Sequence, residues 1–298
     1  MNVVLIFPVT NNSENQPKIL SEFKEKIAPK LNMLGAEMIE IKFAGTDYVF
    51  VGLNKTLEGK PKGEGILECL KNCANPPPDF VIVCDGSNAI PYHYIVPIFQ
   101  ELISDSSIYC VMANRGENKS ITEERFLVET FEIFILRKYH NHIKDIPDGQ
   151  CGLWGYRAGK LNVNGCQKEI NLSAKSYEIE LDLLSEVLEK NLEYSFIDVI
   201  LPARTAKSSF TYDNNLIKMK FLLNKYKKLK NLLPDYFKEF EEKNSDKISR
   251  VKMTWESYKK DINELLIRFL LINNPHHLER QRGNFPSVIT FINVITML

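Results

Sequence analysis

The segment Asp85-Gly86-Ser87 is the part of this sequence best suited to ligand chemistry. It follows the apolar run Phe80–Cys84, which predicts a strand buried on both faces. Ligands of open parallel sheets bind outside the carboxyl ends of the strands, so Asp85 would face such a ligand, and Gly86 would let the backbone approach it. We expect Asp85 to bind Mg²⁺ or Mn²⁺ bridging two phosphates. An Asp-Gly turn closed by an Asx hydrogen bond explains the tripeptide equally well.

A glycine-rich basic loop lies upstream, between Gly59 and Gly65, and contains Lys60 and Lys62. Backbone amides at the start of the helix predicted after it, helped by either lysine, would suit a phosphate. A solvated loop is the more common explanation of such a stretch. The glycine order matches neither a P-loop nor a dinucleotide fingerprint, so neither an NTPase nor a dehydrogenase is indicated.

Three arginines lie after predicted strands or near the start of a predicted helix. Arg115 comes after the apolar run 108–112, Arg125 lies ten residues later near a helix start, and Arg204 follows the run 194–200. The forked donors of a guanidinium match two oxygens of a diphosphate at once, so Arg115 and Arg125 are candidates for binding one. Arg204 belongs to a basic segment that could form a mobile loop closing over phosphates. Taken singly, an arginine is more often a surface ion-pair partner.

A run of ten residues from Asp148 to Arg157 places three glycines around Trp154. Glycine at this density beside an aromatic residue indicates a backbone shaped around a ligand, with Asp148 available as a general base. The alternative is a tight structural turn capped by a buried Trp154.

The elements that position these residues alternate along the chain. Apolar runs at 3–9, 80–84, 108–112 and 194–200 predict strands, and a helical period at 95–103 and an N-cap at Thr122 predict helices. This alternation predicts an α/β fold with a Rossmann-like, mostly parallel sheet flanked by helices. We expect a nucleotide-binding domain over 1–213 and a helical C-terminal region over 214–298, peripheral to the sheet.

The composition and the charge balance exclude some classes of binding partner. The chain has 298 residues, 44% of them hydrophobic, with 38 basic residues balancing 38 acidic ones. Balanced charge gives no overall field to attract nucleic acid, so we expect no nucleic-acid partner. We see no signal peptide and no apolar segment of membrane-spanning length, and expect a cytoplasmic protein. The lysine-rich stretch 218–230 is either a solvated helix face or a weak contact with an anionic membrane surface.

Taken in order, these segments resemble the inverting GT-A glycosyltransferases of the second family, particularly the dolichyl-phosphate-mannose-synthase-like branch. The order, more than any single motif, carries the resemblance, which spans about residues 3–225. The matching segments are Pro8 to Asn11 after the first strand, Gly59 to Gly65, Asp85 to Ser87, Arg115 with Arg125, Asp148 to Arg157, Tyr177 to Glu180, and Arg204 to Ser209.

The resemblance implies a hexosyltransferase-like enzyme that uses a nucleoside-diphosphate sugar, a divalent cation on Asp85, and direct, inverting attack by an acceptor that the sequence does not identify. It implies that Asp148 deprotonates the acceptor. The residues it assigns to donor binding are Pro8, Asn11, Lys60, Lys62, Asp85, Gly86, Ser87, Arg115, Arg125 and Arg204.

Two alternatives stay open. Ser87 stands where the family has a second acid, which favours a non-catalytic relative that keeps the sugar-nucleotide pocket. A sugar nucleotidyltransferase is the other alternative, but such enzymes usually place a glycine-rich loop directly after the first strand, and Pro8 to Asn12 contains no glycine. Metal-dependent turnover would distinguish an active glycosyltransferase from the non-catalytic relative.

Overall fold

The structure is a computed structural model that describes the chain in twelve segments. They are residues 1–9, 15–45, 49–50, 56–57, 61–73, 77–86, 90–116, 121–141, 146–158, 161–163, 166–201 and 212–273. The strands are β1 Asn2–Val9, β2 Met38–Gly45, β3 Val49–Phe50, β4 Thr56–Leu57, β5 Phe80–Cys84, β6 Ile108–Asn114, β7 Leu153–Arg157, β8 Leu161–Val163, β9 Cys166–Lys168 and β10 Glu193–Asp198. The α-helices are α1 Asn15–Glu22, α2 Ala28–Met33, α3 Lys62–Lys71, α4 Ile95–Ser104, α5 Glu123–Tyr139, α6 Ile179–Glu189, α7 Tyr212–Lys225, α8 Leu229–Lys243, α9 Ser245–Arg250 and α10 Lys252–Asn273.

Eight of the strands form one sheet in the order β10-β6-β7-β5-β1-β2-β3-β4. Strands β1, β2, β5, β6 and β10 run in one direction, whereas β7 is antiparallel to both of its neighbours, β5 and β6. The short strands β3 and β4 pair antiparallel beyond β2. The expected mostly parallel sheet is therefore confirmed, and all four apolar runs predicted to be strands form them.

Helices cover both faces of the sheet, which is why its central strands are apolar throughout. Val4 and Ile6 of β1 join the cluster beneath α3, α5 and α6, whereas Val3 and Leu5 point to the opposite cluster beneath α1, α2 and α4. The helix expected at Thr122 is also confirmed, since the Thr122 hydroxyl accepts the backbone N–H of Arg125 at 3.3 Å.

The second half of the run from Asp148 to Arg157 is a strand, β7, and not the tight turn of one sequence interpretation. Trp154 is 1% exposed inside the core, so its burial agrees with that interpretation. The other interpretation, a backbone shaped around a ligand, stays a prediction. Gly155 serves packing, since a Cβ there would lie 2.8 Å from the Ile98 Cγ2 atom of α4. Pairing with strands on both sides stabilises an extended conformation that local sequence does not reveal.

The C-terminal helices α7, α8 and α10 pack against α5. The ring of Phe131 on α5 lies 4.6 Å from the Phe237 ring and 5.3 Å from the Trp255 ring, measured between centroids. Side chains from both sides of residue 213 belong to one apolar cluster that also contains Val81 and Val83 of β5. The helical character of this region is confirmed, and the boundary at 213 stays a prediction.

The lysine-rich stretch 218–230 is not a uniformly solvated face. Lys218 is 3% exposed, and Lys225 contacts the carboxylates of Asp182 and Glu186 on α6. In the segments that the structure describes, no helix has the length and apolar character needed to cross a bilayer. The apolar tail at 287–298 lies outside the described residues.

Replacing Phe131 with alanine tests whether the C-terminal helices share the core of the sheet. We expect Phe131→Ala to lower the free energy of unfolding by about 3–5 kcal/mol, since it removes a buried ring and leaves a cavity. Urea unfolding measures this loss. The control Met253→Ala changes a side chain that is 88% exposed and should stay within about 0.5 kcal/mol of wild type. A loss below about 1 kcal/mol for Phe131→Ala would contradict this view of the core.

Candidate active site

Lys62 and Asp85, both predicted from the sequence to be ligand-binding residues, meet at the carboxyl edge of the sheet. The Lys62 ammonium lies 2.7 Å from Asp85 Oδ1 and 2.5 Å from Glu180 Oε1. Lys62 is the first residue of α3, Asp85 follows β5, and Glu180 is the second residue of α6. Three elements thus bring two carboxylates to one ammonium.

Backbone hydrogen bonds hold Asp85 and Gly86 at this edge. The Asp85 N–H donates to the Gly152 carbonyl at 2.9 Å, and the Gly86 N–H donates to the Pro8 carbonyl at 2.7 Å. The Tyr92 hydroxyl donates to the Gly86 carbonyl at 3.0 Å. The Asp-Gly segment therefore continues the register of β5 between β1 and β7, so Pro8 and Gly86 act through their backbones.

Gly152 makes room for the Asp85 side chain. A Cβ atom at position 152 would lie 2.1 Å from Asp85 Oδ2, closer than any real contact. The carboxylate thus rests directly on the backbone that leads into β7. This close approach is the structural reason for one of the three glycines that the sequence places around Trp154.

The start of α3 is closed by the loop before α6. The Glu64 N–H donates to the Lys175 carbonyl at 2.8 Å, and a Cβ at Gly63 would lie 2.4 Å from the Ala174 carbonyl oxygen. The Glu64 amide therefore already has a backbone partner, and phosphate binding by the amides at this helix start stays a prediction. Lys62 is the group at this helix start whose side chain reaches Asp85.

Asp182 fixes that loop to α6. Its Oδ2 atom accepts the N–H groups of Ser173 at 2.5 Å and Ala174 at 2.8 Å, while its Oδ1 atom lies 3.0 Å from the Lys225 ammonium of α7. A lysine of the C-terminal helices thus compensates a buried acid beside the site. The loop, α3 and α6 therefore form one connected support for Lys62.

The electrostatics of Lys62 favour its charged form. Burial by itself disfavours the ammonium, but the carboxylates of Asp85 and Glu180 outweigh that effect and raise the pKa of Lys62 above its usual value. Lys62 is therefore a permanent cation at this edge and cannot serve as a base.

Arg115 and Asp148, the predicted phosphate ligand and the predicted base, bind each other. Arg115 donates from Nε to Asp148 Oδ2 at 2.5 Å and from Nη2 to Asp148 Oδ1 at 2.8 Å. The backbone N–H groups of Arg115 and Gln150 also donate to this carboxylate, at 3.1 and 2.9 Å. Asp148 is 5% exposed, so in this conformation it anchors Arg115. Its role as a base stays a prediction.

Glu129 on α5 gathers three cations. Its carboxylate lies 2.9 Å from Arg115 Nη2, 3.0 Å from Arg125 Nε and 3.1 Å from Lys218 Nζ. Burial by itself would raise the pKa of Glu129, but Lys218, Arg115 and Arg125 together lower it below its usual range. Arg115 and Arg125, two of the three arginines predicted to bind phosphate, are thus engaged with carboxylates, and phosphate binding by them stays a prediction.

Glu132, one turn further along α5, is held differently. Gln150 Nε2 donates to its Oε2 atom at 2.8 Å, and the Tyr258 hydroxyl of α10 donates to its Oε1 atom at 3.1 Å. Burial raises the pKa of Glu132 to about 7, an effect that nearby Lys218 only partly offsets. Gln150 also accepts from Lys218, so Glu132 and Glu129 belong to one buried network.

The structure therefore sorts the predicted residues into two clusters joined by the segment 148–152. Lys62 and Asp85 lie in one cluster, and Arg115, Arg125 and Asp148 lie in the other. The segment connects them because Asp148 holds Arg115 while Gly152 contacts Asp85. The predicted residues Asn11, Lys60, Ser87 and Arg204 lie outside the described residues.

Sequence reasoning missed the buried acids that organise both clusters. Glu180 and Asp182 alternate with apolar residues at the start of α6, and Glu129 and Glu132 interrupt the apolar pattern of α5. Charges inside an otherwise buried helical pattern are a usable signal, because a buried carboxylate requires a partner. Their partners could not be read from the sequence.

Of the two carboxylates around Lys62, Asp85 is the more exposed one and the one that an arriving cation would meet. Among the described residues, no three side chains of His, Cys, Asp or Glu come together as a metal-binding group. Asp85 is the acid at the sheet edge, and its side chain is 31% exposed.

Comparison with known proteins yields similarity to solved structures alone. No family model and no curated protein matches the sequence. Glucosyl-3-phosphoglycerate synthase of M. tuberculosis is 12% identical over 75% of this chain and 80% of its own, with a TM-score of 0.46. The structure of the same enzyme in complex with Mg²⁺ and uridine diphosphate is 12% identical over 75% of this chain and 78% of its own, with a TM-score of 0.43. Mannosyl-3-phosphoglycerate synthase from Rubrobacter xylanophilus is 14% identical over 69% of this chain and 68% of its own, with a TM-score of 0.43.

The raised pKa of Glu132 predicts a pH-dependent difference between wild type and Glu132→Gln. A carboxyl whose folded pKa lies above its unfolded value stabilises the fold fully below the unfolded value, and this contribution is lost as the pH rises through the folded value. Between about pH 4.5 and 7, wild type should lose roughly 3 kcal/mol relative to the variant.

Urea unfolding of both proteins at pH 5 and pH 8 measures this difference. Glu37→Gln, at a side chain that is 84% exposed, supplies the matched control and should track wild type at both pH values. A constant difference between wild type and Glu132→Gln would show that Glu132 titrates in its ordinary range.

Proposed function

We propose that this chain binds a nucleoside-diphosphate sugar at the carboxyl end of β5 and transfers the sugar to an acceptor. The observation that carries the proposal is the meeting of Lys62 and Asp85 at this edge, with a separation of 2.7 Å. A permanent ammonium beside a partly exposed carboxylate offers a diphosphate both a cation of the protein and a place for a metal ion.

Asp85 fits a divalent cation of the kind that the sequence motif suggests. Its carboxylate already stabilises one positive charge at 2.7 Å, and its oxygens are the hard ligands that Mg²⁺ and Mn²⁺ prefer. Magnesium sites of nucleotide enzymes commonly use one or two carboxylates together with substrate phosphates, so one carboxylate suffices. A bound cation would neutralise the charge that develops on the leaving diphosphate.

The remaining roles follow the sequence motifs. Arg115, Arg125 and Arg204 are proposed to balance phosphate charge, and Asp148 is proposed to deprotonate the acceptor for inverting attack. For Asp148 to act as a base, the Arg115 guanidinium has to release at least one oxygen of the Asp148 carboxylate. An incoming diphosphate would supply Arg115 with the alternative partner, so donor binding and release of the base would be linked.

A non-catalytic nucleotide-sugar-binding protein is the second candidate. The observation that favours it is the burial of Asp148 in a bidentate pair with Arg115. If that pair persists with donor bound, the chain would hold the donor without activating an acceptor. Turnover then separates the two candidates, whereas binding does not.

Calorimetric titration with UDP, GDP and their common sugar conjugates, with and without Mn²⁺, tests the binding part of the proposal. We expect micromolar, Mn²⁺-enhanced binding of one of them and loss of that enhancement in Asp85→Asn, which removes the charge at the sheet edge. Asp235→Asn, at an exposed position of α8, is the matched control. Absence of binding to every nucleotide would reject the proposal.

Asp148→Asn and Arg115→Gln together test the catalytic part. If Asp148 is the base, Asp148→Asn should lower release of nucleotide from the bound donor by about 10²–10⁴-fold, with donor affinity retained. Arg115→Gln should weaken donor binding, because it removes a phosphate partner. Similar losses of affinity in both variants, with turnover by bound donor unchanged, would assign Asp148 to anchoring alone.

A further inference from the structure

The two carboxylates that share Lys62 are unequal. The Glu180 side chain is 7% exposed and lies 2.5 Å from the ammonium, whereas the Asp85 side chain is 31% exposed and lies 2.7 Å from it. Glu180 is therefore the interior partner of Lys62, and Asp85 is the partner at the sheet edge, where a ligand arrives.

Lys62 and Glu180 also belong to one support, and Asp85 does not. The start of α3 rests on the loop at Ala174, since a Cβ at Gly63 would lie 2.4 Å from the Ala174 carbonyl oxygen. Asp182 on α6 binds the N–H of the same residue at 2.8 Å. The separation of Lys62 and Glu180 is thus set by a shared loop, whereas Asp85 follows β5.

We propose that Glu180 is the positioning residue that retains Lys62 while Asp85 exchanges this ammonium for a divalent cation. The Lys62 ammonium lies 2.7 Å from Asp85 Oδ1, where it would compete with the cation for this carboxylate. When the cation and diphosphate bind, Lys62 stays on Glu180 and turns toward the phosphate oxygens. This inference rests on the cation site of the proposed function.

The exchange has a consequence for binding order. An ammonium and a divalent cation at the same carboxylate oxygen repel each other, so Lys62 weakens cation binding when no nucleotide is present. A diphosphate relieves this competition by accepting Lys62. Cation and nucleotide therefore bind cooperatively, and the protein alone holds the cation weakly.

Titration with Mn²⁺ alone tests the competition without any nucleotide. Binding of Mn²⁺ is measured by its effect on the relaxation of solvent protons. The decisive variant is Lys62→Met/Glu180→Leu, which removes the buried pair and leaves no buried charge without a partner. In wild type, two carboxylates and one ammonium give this group a net charge of −1. In the double variant, Asp85 alone gives the same −1, so overall charge predicts no change, whereas the exchange predicts about tenfold tighter Mn²⁺ binding.

Two further variants complete the test. Glu180→Gln should weaken Mn²⁺ binding, because Asp85 is then the carboxylate left for Lys62, and adding Asp85→Asn to the double variant should abolish the gain. Lys220→Met, at an exposed position of α7, should match wild type. Mn²⁺ affinity in Lys62→Met/Glu180→Leu that equals or falls below that of wild type would overturn the inference, whether or not any nucleotide binds.

Discussion

Burial of acidic side chains under one face of the sheet is the constraint that organises this protein. Six acids are buried among the described residues: Glu129, Glu132, Asp148, Glu180, Asp182 and Glu186. A carboxylate removed from water is costly unless cations or hydrogen-bond donors replace its hydration. Each of these acids has such partners in other elements of the fold. The packing of α5 and α6 on the sheet therefore requires cations from α3, α7 and the end of β6.

This requirement links the C-terminal helices to the candidate site. Lys218 and Lys225 of α7 pair with Glu129 and Asp182, which in turn hold Arg115 and the loop beside Lys62. The aromatic contacts around Phe131 fix the same helices by apolar packing. The C-terminal region, which looks separate by composition, thus contributes positive charges that compensate buried acids beneath the site. A change in those helices would therefore also alter the support of the residues at the sheet edge.

The two clusters offer different chemistry. Around Lys62 the charges meet at the sheet edge, and Asp85 is accessible, so a ligand can exchange partners there. Around Arg115 the charges are buried and mutually satisfied, so a ligand must first disrupt a strong pair. The proposed donor binding is therefore favoured at Asp85, while the proposed catalytic role of Asp148 requires a rearrangement that a diphosphate would have to drive.

The sequence by itself determined the α/β fold, because apolar runs and helical periods report local burial directly. It also predicted that Asp85 directly follows a buried strand, since an apolar run that ends in an acid can be recognised from consecutive residues. Only the tertiary structure decided that the glycine-rich run contains β7, because neighbouring strands stabilise that conformation. It likewise decided the partners of Lys62, Arg115 and Asp148. Lys62 is 118 residues from Glu180, and Arg115 is 33 from Asp148. No local pattern encodes such pairings, which arise when packing buries both charges together.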